Sequence, residues 1–375
     1  MRITRQLKIE ESEQLNYLAH EAGDVYSQTL VSFWRILRKK DHWLSQYTMQ
    51  RLIRNNNLHS QTTQGIVEKF YSNIESWKSL RKSNPKARLP KKRKWYFVIP
   101  YKESAIKLKN GKLILSNGKG NLPLILDWSF DKPKYIEISY NDGYMLNAVY
   151  SYDDPETVAD GDVAGIDLGE IHIGVAATAN KTIILNGREL RSKRRYLNKS
   201  LAELQSHIDK CKKGSRKRKQ LEKAKSRMRN RLNNQIRDIL HKQTTKLIYT
   251  LKEENVKTVA IGDIRDIRQN VDHGKHNNQK IHGMTTGKAR SMLKYKAKKL
   301  GMETVLINEA YSSQTCPKCL NRHKPQNRNY VCPKCGFTYH RDGVGAINIR
   351  QKQMYREFVP VVGDMAPPVG IRYKA

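Results

Sequence analysis

Four of the five cysteines fall in one short stretch, as Cys316-x2-Cys319, twelve residues, then Cys332-x2-Cys335. Four thiolates offered by two such knuckles can close a tetrahedron around Zn²⁺. Each pair encloses Pro-Lys, which favours the tight turn of a knuckle and puts a cation beside the thiolates. A complete thiolate set leaves no open position, so one structural Zn²⁺ is expected. A redox C-x-x-C would not be duplicated at ribbon spacing. Cys211 stands alone, and the pattern as a whole suits metal binding in a reducing compartment better than a disulfide framework.

The second set of chemistry-bearing residues is acidic. Asp167 ends the apolar run of "AGIDLGE", Asp263 closes "TVAIGD", Glu309 closes "TVLINE", and Asp342 sits in "HRDGVGAINI". Singly, each has an ordinary explanation: a solvated turn carboxylate for the first three, a helix N-cap for Asp342. Together they are four carboxylates at the ends of core elements in a chain with 71 Lys and Arg against 35 Asp and Glu. Two Mg²⁺ ions ~3.5–4 Å apart need such a set to hydrolyse a phosphodiester by in-line water attack.

The elements that must position these groups are legible in outline. "RITRQLKI" alternates as a strand. Residues 13–82 change to a helical period, with Leu15, Leu18, Ala22, Val25, Thr29, Phe33 and Leu37 on one face and Ile66, Phe70, Ile74 and Trp77 on another. Asn110-Gly111 and Asp142-Gly143 each divide two β-prone arms, a hairpin signal. Residues 1–12 and 83–155 therefore read as one small antiparallel barrel with a helical insertion at 13–82. An acidic linker at 152–162 precedes an α/β region, 156–310 and 340–356, that holds a very basic helical hairpin at 188–254. The cysteine block, 311–339, interrupts that region. The tail 357–375 has no period and is expected to be disordered.

The formal net charge is +36. That imbalance points to a polyanionic partner, nucleic acid before an anionic membrane. No apolar run approaches ~18 residues and the N-terminus lacks a secretory block, so a cytoplasmic, nucleoid-associated protein is expected. Arg194, Arg195, Lys217 and Arg218 on the basic hairpin are candidates for phosphate contacts. Lys92, Arg93 and Trp95 in "KKRKWYF" are candidates for backbone contact and base stacking, with a core strand the equal alternative at the aromatic run.

The order of these parts, "GIDLG" after a barrel, a basic hairpin, "VAIGDIRDIR", then "YSSQTCPKC" through "CPKCGFTYHRDGVGAINI", resembles TnpB, the transposon-encoded RNA-guided nuclease family related to the compact type V CRISPR effectors. The resemblance covers nearly the whole chain and is most specific from 163 to 350. It implies a RuvC-like nuclease of RNase H fold with an inserted zinc ribbon, a wedge-type barrel for guide RNA, and a helical insertion that reads a short motif beside the target DNA. It also implies Asp167 and Asp342 as the first and third catalytic carboxylates holding Mg²⁺, and a transposase encoded in the same element as a partner. The second carboxylate departs from the family pattern. Members commonly carry Glu-Asp where this chain has Gly262-Asp263. Either Asp263 replaces the missing Glu, or Glu309 on the next strand does, as in one family branch. Strand alternation turns Asp263 toward the other face and favours Glu309. The functional alternatives are a nuclease-dead RNA-guided DNA-binding repressor, a miniature CRISPR effector and a strand-transferring transposase.

Overall fold

The computed structural model describes residues 1–93, 96–264, 272–361, 363 and 365–371. The chain divides into two compact units, Met1–Asp153 and Asp154–Ala375.

In the first unit, β1 (Arg2–Ile9) is followed by α1 (Glu13–Lys40), α2 (Gln46–Leu52) and α3 (Ser60–Ser83). Ser12 caps α1, its hydroxyl accepting from the Leu15 amide. The residues that recur at helical spacing form the interior: Leu15, Leu18, Ala22, Val25, Thr29 and Phe33 of α1 and Ile66, Phe70 and Ile74 of α3 are all buried. Next come β2 (Ile99–Lys102), β3 (Ile106–Lys109), β4 (Lys112–Leu115), β5 (Leu124–Asp127), β6 (Tyr135–Tyr140) and β7 (Tyr144–Ser151). Both proposed turns form, and both take the positive φ their residues tolerate: Asn110 and Gly111 at 49° and 68°, Asp142 and Gly143 at 58° and 129°. The strands do not make one continuous barrel sheet. They form a four-stranded sheet in the order β1-β7-β6-β2 and a separate three-stranded meander, β3-β4-β5. The strands are too short, four residues in β2 through β5, for alternation alone to reveal where one sheet ends.

The second unit is built on a six-stranded sheet. β8 (Asp162–Asp167), β9 (His172–Ala177) and β10 (Thr182–Asn186) form an antiparallel meander, followed by the long hairpin of α4 (Arg188–Asp209) and α5 (Arg216–Glu253). Then β11 (Val256–Gly262), α6 (Lys275–His282), α7 (Thr286–Lys299) and β12 (Glu303–Ile307) add two strands parallel to β8. β13 (Asn329–Val331) and β14 (Thr338–His340) make a small hairpin before α8 (Arg341–Tyr355). The tail departs from the expected disorder: β15 (Val369–Ile371) pairs parallel with β10, and Ile371 is buried. Three residues are too few to leave a periodic signature. The sheet order is β12-β11-β8-β9-β10-β15.

Helices cover both faces of this sheet. Ile236, Ile239, Leu240 and Leu247 of α5 and Leu293 of α7 pack with Ile166, Val259 and Ile261. On the other face Ala346 and Ile347 of α8 pack with Val175 and Ala177. A Cβ at Gly165 would lie 2.2 Å from the Ala346 carbonyl oxygen, so glycine there lets α8 lie close on β8. Since Ile261 pairs with Ile166 and Gly262 with Ile307, the three parallel strands end together, at Asp167, Gly262 and Ile307. The first turn of α8 comes to the same edge. No helix among the described residues is long and apolar enough to cross a membrane.

Candidate active site and metal centre

Asp167, Glu309 and Asp342 meet at that edge. Asp167 lies under α8, where a Cβ on Gly345 would stand 2.5 Å from its Oδ2. Burial first, then the charges of Glu309 and Asp342, raise its carboxyl well above the usual range. Glu309 follows β12 in a loop clasped by Lys352, whose ammonium donates to the carbonyls of Asn308 and Ala310 at 3.1 and 2.8 Å. Its Oε2 is buried without a hydrogen-bond partner. Burial and then the charge of Asp263 push its carboxyl up to about 7, against the pull of Lys352.

The glycine at 262 explains how Glu309 fits. A Cβ built there would come within 2.6 Å of Glu309 Oε2 and 3.0 Å of Ile349 Cδ1. The space that any side chain at 262 would use is filled by the Glu309 carboxylate. Asp263 turns to α7, where Arg290 Nη1 pairs with its Oδ1 at 3.4 Å.

Asp342 lies in the first turn of α8, but it is not the cap; His340 holds that position and makes no capping bond. Instead Asp342 Oδ2 accepts from His172 Nδ1 at 2.8 Å and from Arg328 Nη1 at 3.1 Å. Burial raises the Asp342 carboxyl, but His172 and Arg328 outweigh it and hold it below the usual range. Asp167, Gly169, His172, Val175, Ser313, Arg341 and Asp342 line a cavity of about 180 Å³. The histidines were not among the residues singled out from the sequence. Their signal is position: His172 lies five residues after Asp167 and His340 two before Asp342.

The four cysteines form a second cluster, with every donor sulfur within 4.8 Å of the others. Cys316 and Cys335 Sγ are 3.7 Å apart, Cys319 and Cys332 Sγ 3.5 Å. Thiolates ~2.3 Å from one tetrahedral ion stand ~3.8 Å apart, so the quartet fits Zn²⁺ by donor type and spacing. Burial pushes the Cys332 thiol up, but amide donors from Cys335 and Lys334 reverse this and bring it down to about 6. The cluster is tied to α8: Val344 is buried with Cys316, Tyr330 and Cys332, and buried Asn348 donates to the carbonyls of Ser312 and Thr315 at 2.6 and 2.8 Å.

The basic candidates divide. Arg195 and Lys217 are exposed on α4 and α5, as are Lys92 and Arg93 in the first unit. Arg194 donates to the Lys280 carbonyl at 3.1 Å. Arg218 is engaged inside the hairpin, with Nη1 on the Ile208 carbonyl at 3.0 Å and Nε on Glu222 at 2.9 Å. Trp95 lies outside the described residues.

Comparison with known proteins places the chain among similar sequences and folds. Residues 147–268 match the family model described as "Probable transposase", and 287–349 match the Cas12f1-like TNB domain. A Streptomyces pristinaespiralis protein named an RNA-guided DNA endonuclease is 31% identical over 260 residues, 66% of this chain and 61% of that one. A TnpB-like protein of Methanocaldococcus jannaschii is 24% identical over 308 residues, 80% of this chain and 70% of that one. Among solved structures, a Cas12f1–sgRNA–target DNA complex aligns with TM-score 0.62 at 16% identity, over 91% of this chain and 82% of that one. The RNA-guided endonuclease Cas_phi3 aligns with TM-score 0.54 at 9% identity, over 98% and 94%. The fold is that of the small Cas12-type nucleases. The chain is similar to a TnpB-like protein and to an RNA-guided DNA endonuclease, and it spans 61% of the length of the latter.

Proposed function

We propose that this protein is an RNA-guided, metal-dependent DNA endonuclease of the TnpB type, encoded with a transposable element. The observation that carries the reading is the convergence of Asp167, Glu309 and Asp342 at one sheet edge, with Glu309 seated in the space left by Gly262. The six-stranded sheet is then a RuvC-like nuclease domain and the cysteine hairpin its zinc ribbon. The four-stranded sheet and meander form the wedge, and α1–α3 the recognition insertion. Guide RNA pairs with the target strand, while protein contacts read a short flanking motif.

The donor set suits hard divalent cations. Three carboxylates repel one another in a part-buried site, and the orphaned Glu309 oxygen needs a partner. Mg²⁺ bound there would activate water and offset charge on the leaving oxygen. Asp167 would hold its carboxylate from the end of β8 and Glu309 from the loop after β12, on either side of β11, and Asp342 the third from α8 under the restraint of His172 and Arg328. Asp263, paired with Arg290, shapes the strand end and ligates nothing. Arg195, Lys217, Lys92 and Arg93 bind phosphates.

The test is cleavage by the purified ribonucleoprotein, programmed with the RNA that copurifies with it, on matched and mismatched DNA. Guide-matched cutting in Mg²⁺ supports the proposal. Matched binding with no cutting in Mg²⁺ or Mn²⁺ selects the repressor. Strand-joined products select a transposase, the activity named in one matching family description.

A further inference from the structure

His172, at the start of β9, and His340, immediately before α8, flank Asp342. One donor atom from each of the three lies within 4.8 Å of the other two. The imidazole centroids are 5.1 Å apart, and His172 Nδ1 is 2.8 Å from Asp342 Oδ2. His340 Nδ1 is buried with no hydrogen-bond partner. A buried imidazole nitrogen left unpaired costs free energy unless something takes its lone pair or its proton. His172 and Asp342 line the cavity next to Asp167.

We propose that His172, His340 and Asp342 form a binding site for a borderline divalent transition ion of the Zn²⁺ class, set apart from the all-carboxylate Mg²⁺ site by its two imidazole donors. Two imidazoles and a carboxylate are a common three-ligand set for such an ion with an open position. Mg²⁺ prefers oxygen donors and gives up water reluctantly, so it has little use for the two nitrogens. Ligands ~2.1 Å from one tetrahedral ion stand ~3.4 Å apart, so the His172–Asp342 pair, now at 2.8 Å, has to open slightly to admit it. The ion takes the place of that hydrogen bond. Arg328, on the same carboxylate oxygen at 3.1 Å, remains as the outer partner that orients Asp342. The site shares Asp342 with the proposed nuclease centre and rests on that reading in no other way.

The probe is Co²⁺, titrated into full-length protein whose ribbon is loaded with Zn²⁺, in excess Mg²⁺. One equivalent should bind, with visible d–d absorption, no thiolate charge-transfer band, and the imidazole scattering pattern in cobalt-edge X-ray absorption. His172→Asn and His340→Asn should each weaken Co²⁺ binding at least about tenfold, with ribbon zinc and melting temperature unchanged. The absorption-edge measurement on wild-type protein needs no variant, so a substitution that unfolds the chain does not remove the test. The proposal is overturned if no Co²⁺ binds against Mg²⁺. It is equally overturned if Co²⁺ binds without imidazole scattering, the histidines then serving only to orient Asp342. A chain that binds Co²⁺ through both histidines but never cuts DNA keeps this site and loses the nuclease reading. A chain that cuts in Mg²⁺ but binds no Co²⁺ through them does the reverse.

Discussion

The cysteine quartet takes its four ligands from one stretch, Cys316 to Cys335, while the carboxylate cluster draws on positions 167, 309 and 342. In the first, two knuckles impose the geometry locally; burial pushes the Cys316 thiol up to about 12, while amide donors bring Cys332 down to about 6. In the second, separate strands and a helix bring like charges together, and the surroundings raise Asp167 and Glu309. The quartet's geometry is set by neighbours in the chain, whereas the fold holds the carboxylate edge together against its own repulsion, a cost that a bound cation would offset. The two are joined through α8, which packs Val344 against the quartet and presents Asp342.

Breaking that join gives the largest expected effect. Cys316→Ser should release the ribbon zinc, loosen Arg328 and the start of α8, and reduce cleavage by at least about 100-fold although no cysteine belongs to the carboxylate cluster. Zinc content and cleavage rate measured on the same preparation check it. Retained cleavage without zinc would mean that the ribbon and the carboxylates are independent.

The steric partnership at the strand end comes next. Gly262→Ala places a methyl carbon 2.6 Å from Glu309 Oε2, and should cut activity about tenfold while costing ~1–3 kcal/mol of stability. Kinetics and thermal melting check it. In a Glu309→Ala background the same substitution should cost less stability, because the crowding carboxylate is gone.

The smallest effect reads the protonation of Glu309. Glu309 holds a proton in the folded chain that the unfolded chain gives up above the normal 4.5. Its stabilising contribution is complete below that value and is lost as pH rises through about 7. Metal-free Glu309→Gln should therefore match wild type at pH 4 and exceed it at pH 8 by ~1 kcal/mol, after allowance for solvent screening. Denaturant melts at the two pH values check it. Excess Mg²⁺ should shrink the difference at pH 8.

The sequence carried local information well and contact between distant segments poorly. The helical faces of α1 and α3, the two positive-φ turns and the cysteine knuckles are set by neighbours in the chain. The split of the first unit into two sheets, the return of Val369–Ile371 to β10 and the pairing of His172 with Asp342 depend on contacts across many residues. Gly262 and Glu309 lie between these cases. The missing side chain is visible in sequence, and strand alternation argues against Asp263, but only the packing shows that Glu309 fills the space beside the glycine. Arg218 is the opposite lesson. It looked like its basic neighbours, yet it closes the α4–α5 turn, because sequence does not distinguish a guanidinium facing solvent from one facing a helix end.

The central claim is that the second catalytic carboxylate is Glu309 and not Asp263. Cleavage of guide-matched DNA by Glu309→Gln and Asp263→Asn ribonucleoproteins, with DNA binding measured in parallel, tests it directly. Glu309→Gln keeps the side-chain shape and removes the charge, so it should bind DNA normally and cut at least about 1,000-fold more slowly. Asp263→Asn should retain substantial cleavage. A dead Asp263→Asn beside a fully active Glu309→Gln would contradict the account and return the second carboxylate to its original strand.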